Sequence, residues 1–450
     1  MFPLRPVRRM SLLGTALTSA ALIAAYACSA AAAPLLTPSA AARSPQSAGS
    51  AHLPSTGPAA TRAVPAAAVE AETRTAVDIP ADVTAGVAVF DRLTGRFTES
   101  HQPDRAFRSA SVVKLLLALD HMWNRGPAYD LPQEDRDRLG AMLSSSNDAA
   151  ASHYWSTGGG SAVISRMVPR LGLTGTAPPP AGYPGYWGYT ATTAADTVRV
   201  YRYLLDQAPA PVRDLVLGAL HRSTRCAADG FDQGFGLPSA FEAPGAVKQG
   251  WSGFTSGGCV APEGPAGIAS GRTPSATMPG NDIARPGSRR TASDAAAPFA
   301  PPSGDAAAPA LDLTSEALHT TGTVGPDDRT VVAVLTLHPD GTPYGTAYSK
   351  VTALTGSLNV PGAVRPSGTR FTTWGSGVRV RAAATTSSAA LTTLPAGVDV
   401  LVGCQKQGGQ VSVPPYLNDW WAYLPQYGGW ITNIYISTPG NTLPGVPNCP

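Results

Sequence analysis

The sequence has little charge, and what it has is nearly balanced. Its 450 residues include 33 lysines and arginines against 30 aspartates and glutamates, which gives a formal net charge of +3. This composition gives no electrostatic reason to expect binding to nucleic acid or to an anionic membrane surface. The seven histidines are scattered without the spacing of metal ligands, so we expect no metal site and no cofactor.

Long apolar runs are also missing, except near the N-terminus. Residues 12–27 form an apolar run that follows three arginines and precedes a stretch of small residues. This pattern predicts an export signal over residues 1–33. The run is short for a membrane span and no later run is long enough. We therefore expect a secreted protein with no transmembrane segment after signal removal, either free or associated with the cell wall.

Two features leave the export route open. Arg8 and Arg9 are compatible with a twin-arginine signal, although Ser11 stands where such signals prefer a bulky apolar residue. Cys28 could carry a lipid, but the three residues before it fit poorly with the leucine-led box that precedes a lipid-bearing cysteine. Ordinary secretion is therefore favoured over lipid anchoring.

Cysteine is scarce, with five residues in all, and Cys28 lies in the predicted signal. Export makes disulfides expected, and the remaining four cysteines allow three pairings. Their positions form two local pairs. We favour Cys226 with Cys259 and Cys404 with Cys449.

Glycine and proline are abundant, at 47 and 43 residues, and they concentrate in particular segments. These segments predict a disordered tether over residues 34–78, a low-complexity insertion over residues 257–310 and a linker over residues 359–370. Residues 79–358 have strand patterns at both ends of a helical middle, which predicts an α+β domain with an antiparallel sheet. Residues 371–450 show short strands and turns, typical of a small all-β barrel.

A serine and a lysine stand three residues apart in Ser111-Val-Val-Lys114. On a helix that begins near Ser111 the two side chains would share a face. Lys114 could then take the proton of Ser111 and make its hydroxyl a nucleophile. The apolar residues that follow predict a buried helix, in which a lysine is costly unless it has a partner or a function.

Two further motifs follow along the chain. Residues 144–148 are rich in serine and asparagine, and two registers are open: one begins at Ser145, which we favour, and the other at Ser146. The same residue types also cap helices. The third motif, Lys248-Gln249-Gly250, stands in a predicted strand.

The order Ser-x-x-Lys, Ser-x-Asn and Lys-x-Gly resembles the signature of the penicillin-recognising serine hydrolases, which include the class A β-lactamases and the D-Ala-D-Ala peptidases. The resemblance covers about residues 82–358, without the insertion. It implies a β-lactamase-like fold, in which an antiparallel sheet packs against a helical subdomain, and an acyl-enzyme formed on Ser111.

Specific roles follow from the resemblance. It implies a catalytic set of Ser111, Lys114, Ser145 and Lys248, and a substrate-binding set of Asn147, Gln249, Gly250 and Trp251. In this scheme Lys114 is the base and Ser145 passes a proton to the leaving nitrogen. The backbone N–H groups of Ser111 and Trp251 would hold the oxyanion.

Two departures from the family pattern stand out. Gln249 occupies the position of a threonine or serine whose hydroxyl binds the substrate carboxylate. The loop at residues 172–193 contains no aspartate or glutamate, whereas the β-lactamases of this class carry a glutamate there that activates water. We therefore expect weak or no β-lactam turnover.

Residues 371–450 resemble a bacterial SH3-like domain. The resemblance is carried by the stretches Val378-Arg-Val-Arg381, Asn418-Asp-Trp-Trp421 and Gly429-Trp-Ile-Thr432, with Trp374 before them. It implies attachment to cell-wall peptides, although the same tryptophans could simply fill the core of the domain.

Together these features predict a monomeric, secreted serine hydrolase that acts on a peptidoglycan peptide or on a small amide or ester. The alternative is a catalytically weak or inactive cell-wall-binding protein built on the same scaffold. The set of Ser111, Lys114, Ser145 and Lys248 favours the enzyme. Gln249 and the missing glutamate favour the alternative.

Overall fold

A computed structural model describes residues 77–123, 125–259, 310–394 and 396–450 of the chain. The predicted export signal, the predicted tether up to residue 76 and most of the predicted insertion lie outside these residues. In the described part of the chain, no helix has the length and apolar character needed to cross a membrane.

The first region, up to residue 358, mixes strands and helices. Its strands are β1 (Thr84–Asp91), β2 (Arg96–His101), β3 (Phe107–Arg108), β4 (Ala191–Thr192), β5 (Val247–Ser252), β6 (Glu316–Val324) and β7 (Thr330–His338). Its helices are α1 (Lys114–Trp123), α2 (Gln133–Ser144), α3 (Asp148–Thr157), α4 (Ala162–Leu171), α5 (Ala194–Asp206), α6 (Ala210–Leu220), α7 (Leu237–Ala240) and α8 (Tyr344–Ser357). The prediction of a mixed helix and sheet region is confirmed.

The main sheet has five antiparallel strands in the order β2-β1-β7-β6-β5. The first strand pairs with one of the last, from Thr84 opposite Leu337 to Asp91 opposite Thr330. Strands β5 and β6 are neighbours although the insertion separates them in sequence. This pairing makes β5, which carries Lys248, an edge strand.

Alternation along β1 explains how both faces of the sheet are covered. Ala88 and Phe90 pack into a core with α1 and the other helices of the middle region. Val87 and Val89 face the opposite way, into a second core that contains residues of α7 and α8. Helix α1 is buried at seven of its ten positions, so it lies inside the domain, as its apolar sequence predicts.

The second region contains strands only, apart from short 3₁₀ turns. Its strands are β8 (Thr369–Thr372), β9 (Val378–Arg381), β10 (Ala390–Leu394), β11 (Asp399–Val402), β12 (Cys404–Val413), β13 (Tyr416–Leu424) and β14 (Gly429–Thr432). They form a five-stranded sheet in the order β10-β9-β14-β13-β12 and a separate pair, β11-β8. The described strands therefore do not close into the single barrel that we predicted.

The two regions share a core. One apolar cluster combines Phe235 and Tyr348 of the first region with Leu424 and Ile431 of the second. Arg225 of the first region donates to the carbonyl oxygen of Gln426 at 3.1 Å. Its guanidinium also lies 3.7 Å from the ring centre of Tyr427.

Both disulfides that the sequence predicts are present, Cys226–Cys259 and Cys404–Cys449. The first lies beside the strand that carries Lys248, and the second joins the start of β12 to the C-terminal segment.

Candidate active site

Ser111 lies in a 3₁₀ turn, Ala110–Val113, that leads directly into α1. The turn begins with Ala110 at a φ of +45°, a left-handed conformation that is uncommon for a residue with a side chain. Just before it, the β3–β4 pairing attaches the chain to the loop of residues 172–193. Ser111 is 5% exposed and lines an open cleft.

Lys114 is completely buried below Ser111. Its Nζ atom donates to the Oγ atom of Ser111 at 2.8 Å. The same atom lies 2.6 Å from the carbonyl oxygen of Ser146, 3.0 Å from its Oγ and 2.5 Å from Oδ1 of Asp148. The first motif therefore forms the side-chain contact that its spacing predicted.

Lys248 reaches the same place from the edge strand. Its Nζ atom donates to the Oγ of Ser146 at 2.9 Å and to the carbonyl oxygen of Gln249 at 2.9 Å. The hydroxyl of Ser146 thus lies between the two lysines. Ser146 has a φ of +56° in the turn between α2 and α3, and this turn directs its side chain into the cluster.

The register that we favoured for the second motif differs from what the structure shows. Ser145 is the C-cap of α2, and its hydroxyl donates back to the carbonyl of Ala141 at 2.9 Å, away from the lysines. Asn147 is the N-cap of α3, where its Oδ1 accepts the N–H of Ala150 at 2.9 Å. The cluster therefore takes the alternative register, with Ser146 and Asp148 as its members.

Gln249 is also placed differently from our expectation. Strand residues alternate between faces, so Gln249 points away from Lys248. Its Nε2 atom donates to the carbonyls of Gln233 and Phe235 at 3.0 and 2.6 Å, and its Oε1 is buried without a partner. Gln249 does not line the cleft, so it is a core residue.

The two other residues of the predicted substrate-binding set lie beside Ser111. A Cβ atom on Gly250 would lie 3.3 Å from the backbone nitrogen of Ser111 and 3.2 Å from the carbonyl oxygen of Ser109. Glycine at this position thus allows β5 to approach the turn that contains Ser111. Trp251 lines the cleft, and its indole N–H donates to Asp229 at 3.0 Å.

Burial and mutual charge alter the ionisation of this cluster. Burial lowers the pKa of Lys114 below its ordinary value, although the charge of Asp148 acts in the opposite direction. Burial, followed by the charge of Lys114, lowers the pKa of Lys248 further. Two ammonium groups so close together cannot both remain charged at little cost. Both lowered pKa values favour the neutral amine, which is the form that can accept a proton.

The cleft above Ser111 has a volume of about 1330 Å³. Aromatic rings line both walls, from the loop of residues 172–193 on one side and from β5 and neighbouring segments on the other. The rings are Tyr186, Trp187, Tyr189, Phe231, Trp251, Phe254 and Tyr344. Ser376 and Ala396 of the second region also line the cleft, so that region contributes to its outer wall.

Three site residues were not identified from the sequence. Asp148 follows directly after the Ser-Asn pair, so the alternative register would have found it. Asp229 carries no motif and reaches the cleft because the segment at residues 229–231 packs against Trp251 of β5. Trp187 carries no motif, and its ring centre lies 4.9 Å from Nζ of Lys114.

The loop at residues 172–193 is held by an acid outside it. Asp196, at the start of α5, accepts the backbone N–H groups of Thr174 and Gly175 and the hydroxyl of Thr176, at 2.7–3.0 Å. This carboxylate is fully buried and committed to the loop backbone. It is not among the described residues that line the cleft.

No protein-family profile matches the chain. Among curated proteins, it is 39% identical over 173 residues to a protein named "Putative lipoprotein LppW" from Mycobacterium bovis and from Mycobacterium tuberculosis. The match covers 37% of this chain and 54% of the relative. The chain thus spans about half the length of the curated relatives it matches.

Among solved structures, the chain is similar to PBP-A, with a TM-score of 0.40 and 15% identity, over 62% of this chain and 90% of that one. It is also similar to a class A β-lactamase from Mycobacterium abscessus, with a TM-score of 0.37 and 16% identity, over 61% and 91% of the two chains. Because both scores are below 0.5, we base the proposals below on the geometry of the site.

Proposed function

We propose that this chain is a serine hydrolase of the cell envelope that forms an acyl-enzyme on Ser111. One observation carries the proposal: the Nζ atom of Lys114 lies 2.8 Å from the Oγ of Ser111, in a buried cluster that opens to a cleft. A nucleophile in hydrogen-bond contact with a base of lowered pKa is the arrangement that acyl transfer requires.

The chemistry follows from these positions. Lys114 takes the proton of Ser111 as its Oγ bonds to the substrate carbonyl carbon. The backbone N–H groups of Ser111 and Trp251 receive the oxyanion, as the motif resemblance implies. The proton then passes from Lys114 through the hydroxyl of Ser146 to the leaving nitrogen or oxygen, whose bond to the carbonyl carbon breaks. Lys248 holds Ser146 in place for this transfer.

Release of the acyl group is the slower half of the proposed reaction cycle. The loop at residues 172–193 contains no carboxylate, and Asp196 is committed to the loop backbone. We propose that the acyl-enzyme persists until an acceptor other than a specifically activated water reaches it. Turnover of β-lactams is accordingly slow or absent.

A fluorophosphonate probe tests the proposal. Ser111 should displace fluoride from the probe, and intact-mass measurement should show one adduct per chain that is absent in Ser111→Ala. A fluorescent penicillin and a nitrophenyl ester should show a burst followed by slow release. If wild type takes up none of these reagents faster than Ser111→Ala, the enzyme proposal fails.

The alternative is a binding protein that uses the same scaffold without catalysis. The close ion pair between Lys114 and Asp148 favours it, because a carboxylate there holds the lysine in its charged form. The turning of Gln249 into the core favours it as well, because a family contact to the substrate is lost. Under this reading the cleft binds a peptidoglycan peptide or a small amide or ester and releases it unchanged.

We also propose a cell-envelope location. An export signal is predicted at residues 1–33, and a relative that matches part of the chain is named a lipoprotein. Attachment of the second region to cell-wall peptides would keep a secreted protein near its substrate. Fractionation of wild type and Cys28→Ser separates the routes: release by Cys28→Ser alone indicates a lipid anchor, and identical behaviour indicates ordinary secretion.

A further inference from the structure

The charges that line the cleft have one sign. Four carboxylates face it, those of Asp148, Asp229, Glu316 and Asp340. In the described part of the chain, no arginine, lysine or histidine is among the lining residues. Lys114 and Lys248 lie below the surface of the cleft. The Nζ atom of each lysine donates to the Oγ of Ser146 and to neighbouring oxygen atoms.

Glu316 lines the cleft and provides an unpaired polar atom just below its surface. It is the first residue of β6 and is only 5% exposed. Its Oε1 accepts the backbone N–H of Gly341 at 2.7 Å, whereas its Oε2 is buried without a partner. An unpaired carboxylate oxygen is costly to bury, so a donor that enters the cleft here would gain from meeting it.

The nearby cation is Arg108, whose charge also acts on Glu316 and whose Nε atom has no hydrogen-bond partner among the described residues. Arg108 is buried, and its Nη atoms donate to the backbone carbonyls of Ser252, Asp312 and Ser315. These bonds hold the ends of β5 and β6 together. They leave the Oε2 atom of Glu316 without a hydrogen bond from the described residues.

Asp229 stands among aromatic rings. It accepts the indole N–H of Trp251 at 3.0 Å and the backbone N–H of Phe231 at 3.3 Å. The rings of Trp251 and Phe231 are stacked with their centres 5.5 Å apart. Burial, and then the charge of Asp148, raise the pKa of Asp229, while these two hydrogen bonds and the charge of Lys114 lower it. Aromatic faces and carboxylates together form a favourable environment for an ammonium group.

We propose that the cleft takes substrates that carry a positively charged ammonium group, which binds between Asp229, Glu316 and the adjacent aromatic rings. The inference rests on the proposed function in treating this cleft as the substrate site. A cation-binding cleft of this kind would not recognise a substrate carboxylate. The described residues that line the cleft include no cationic side chain, and Gln249 points into the core instead.

A matched ligand series tests the inference without requiring catalysis. Choline, its uncharged isostere 3,3-dimethylbutanol and the anion 3,3-dimethylbutanoate are titrated against wild type and Ser111→Ala, with tryptophan fluorescence as the readout. Trp187 and Trp251 line the cleft and report its occupation. We expect choline to bind at least about fivefold more tightly than the alcohol at low salt, and the anion to bind most weakly.

Two variants test which carboxylates bind the ammonium group. Asp229→Asn and Glu316→Gln should each weaken choline binding several-fold and leave the affinity for 3,3-dimethylbutanol unchanged, which also shows that the cleft is still folded. Asp104→Asn, an exposed carboxylate that does not line the cleft, serves as the control and should change neither affinity.

The inference is overturned if the anion or the alcohol binds as tightly as choline, or if neither variant changes choline binding. Its failure is distinct from failure of the enzyme proposal. Choline binding in a protein that no serine reagent labels would retain the inference and remove the enzyme. Labelling of Ser111 without a preference for cations would do the opposite.

Discussion

The buried cluster at the bottom of the candidate site and the walls of the cleft above it come from different parts of the sequence. At the base, Ser111, Lys114, Ser146 and Lys248 form a buried cluster of hydrogen bonds built from the three motifs. Above it, the walls carry aromatic rings and the carboxylates of Asp229, Glu316 and Asp340, which belong to none of the three motifs. The difference separates a buried cluster that the three motifs describe from cleft walls that they largely do not describe.

The largest effect should come from the nucleophile itself. Ser111→Ala should abolish fluorophosphonate labelling, because it removes the hydroxyl that lines the cleft and lies 2.8 Å from Nζ of Lys114. Intact-mass measurement provides the readout. Ser252→Ala is the matched control, since Ser252 also lines the cleft, and it should label normally. Labelling that persists in Ser111→Ala would show that Ser111 is not the nucleophile.

The register of the second motif gives the next largest effect. Ser146→Ala should slow labelling by about a hundredfold, because it removes the hydroxyl that connects the two lysines. Ser145→Ala should have little effect, because that hydroxyl donates to the carbonyl of Ala141. Stopped-flow rates of ester acylation for the two neighbouring variants would decide between the registers, and the reverse ranking would restore our original choice.

Asp148→Asn should change the pH dependence of acylation. The charge of Asp148 raises the pKa of Lys114, against the effect of burial. Removing that charge should lower this pKa, so the amine is neutral over a wider range. The rate of acylation by a neutral ester increases as the pH rises through this pKa. In the variant this increase should therefore occur at a pH about one to three units lower. An unchanged profile would mean that Lys114 is not the base.

The smallest effect on chemistry should come from Gln249→Thr. Its amide donates to two core carbonyls, so the variant should lower the free energy of unfolding by about 1–3 kcal/mol. Acylation of Ser111 by a neutral ester should change little once the protein is folded. Denaturant titration and ester kinetics measure the two effects separately. A large kinetic change without loss of stability would place Gln249 in the cleft after all.

The first motif illustrates what local sequence can predict. The three-residue spacing of Ser111 and Lys114 at the start of an apolar helix sets their contact through backbone geometry alone. The second motif illustrates where such prediction stops. Ser145 and Ser146 are adjacent and chemically identical, and only the turn between α2 and α3 decides which one faces the lysines.

By itself, the sequence determined the features that depend on short-range geometry and composition: the mixed helix and sheet region, the buried helix α1, the Ser111–Lys114 pair and the two local disulfides. Tertiary structure decided the rest. Pairing of β5 with β6 across the insertion brings Glu316 to the cleft. Packing of residues 229–231 against Trp251 brings Asp229 there. Both carboxylates reach the cleft through contacts between distant parts of the chain, which spacing along the sequence does not record.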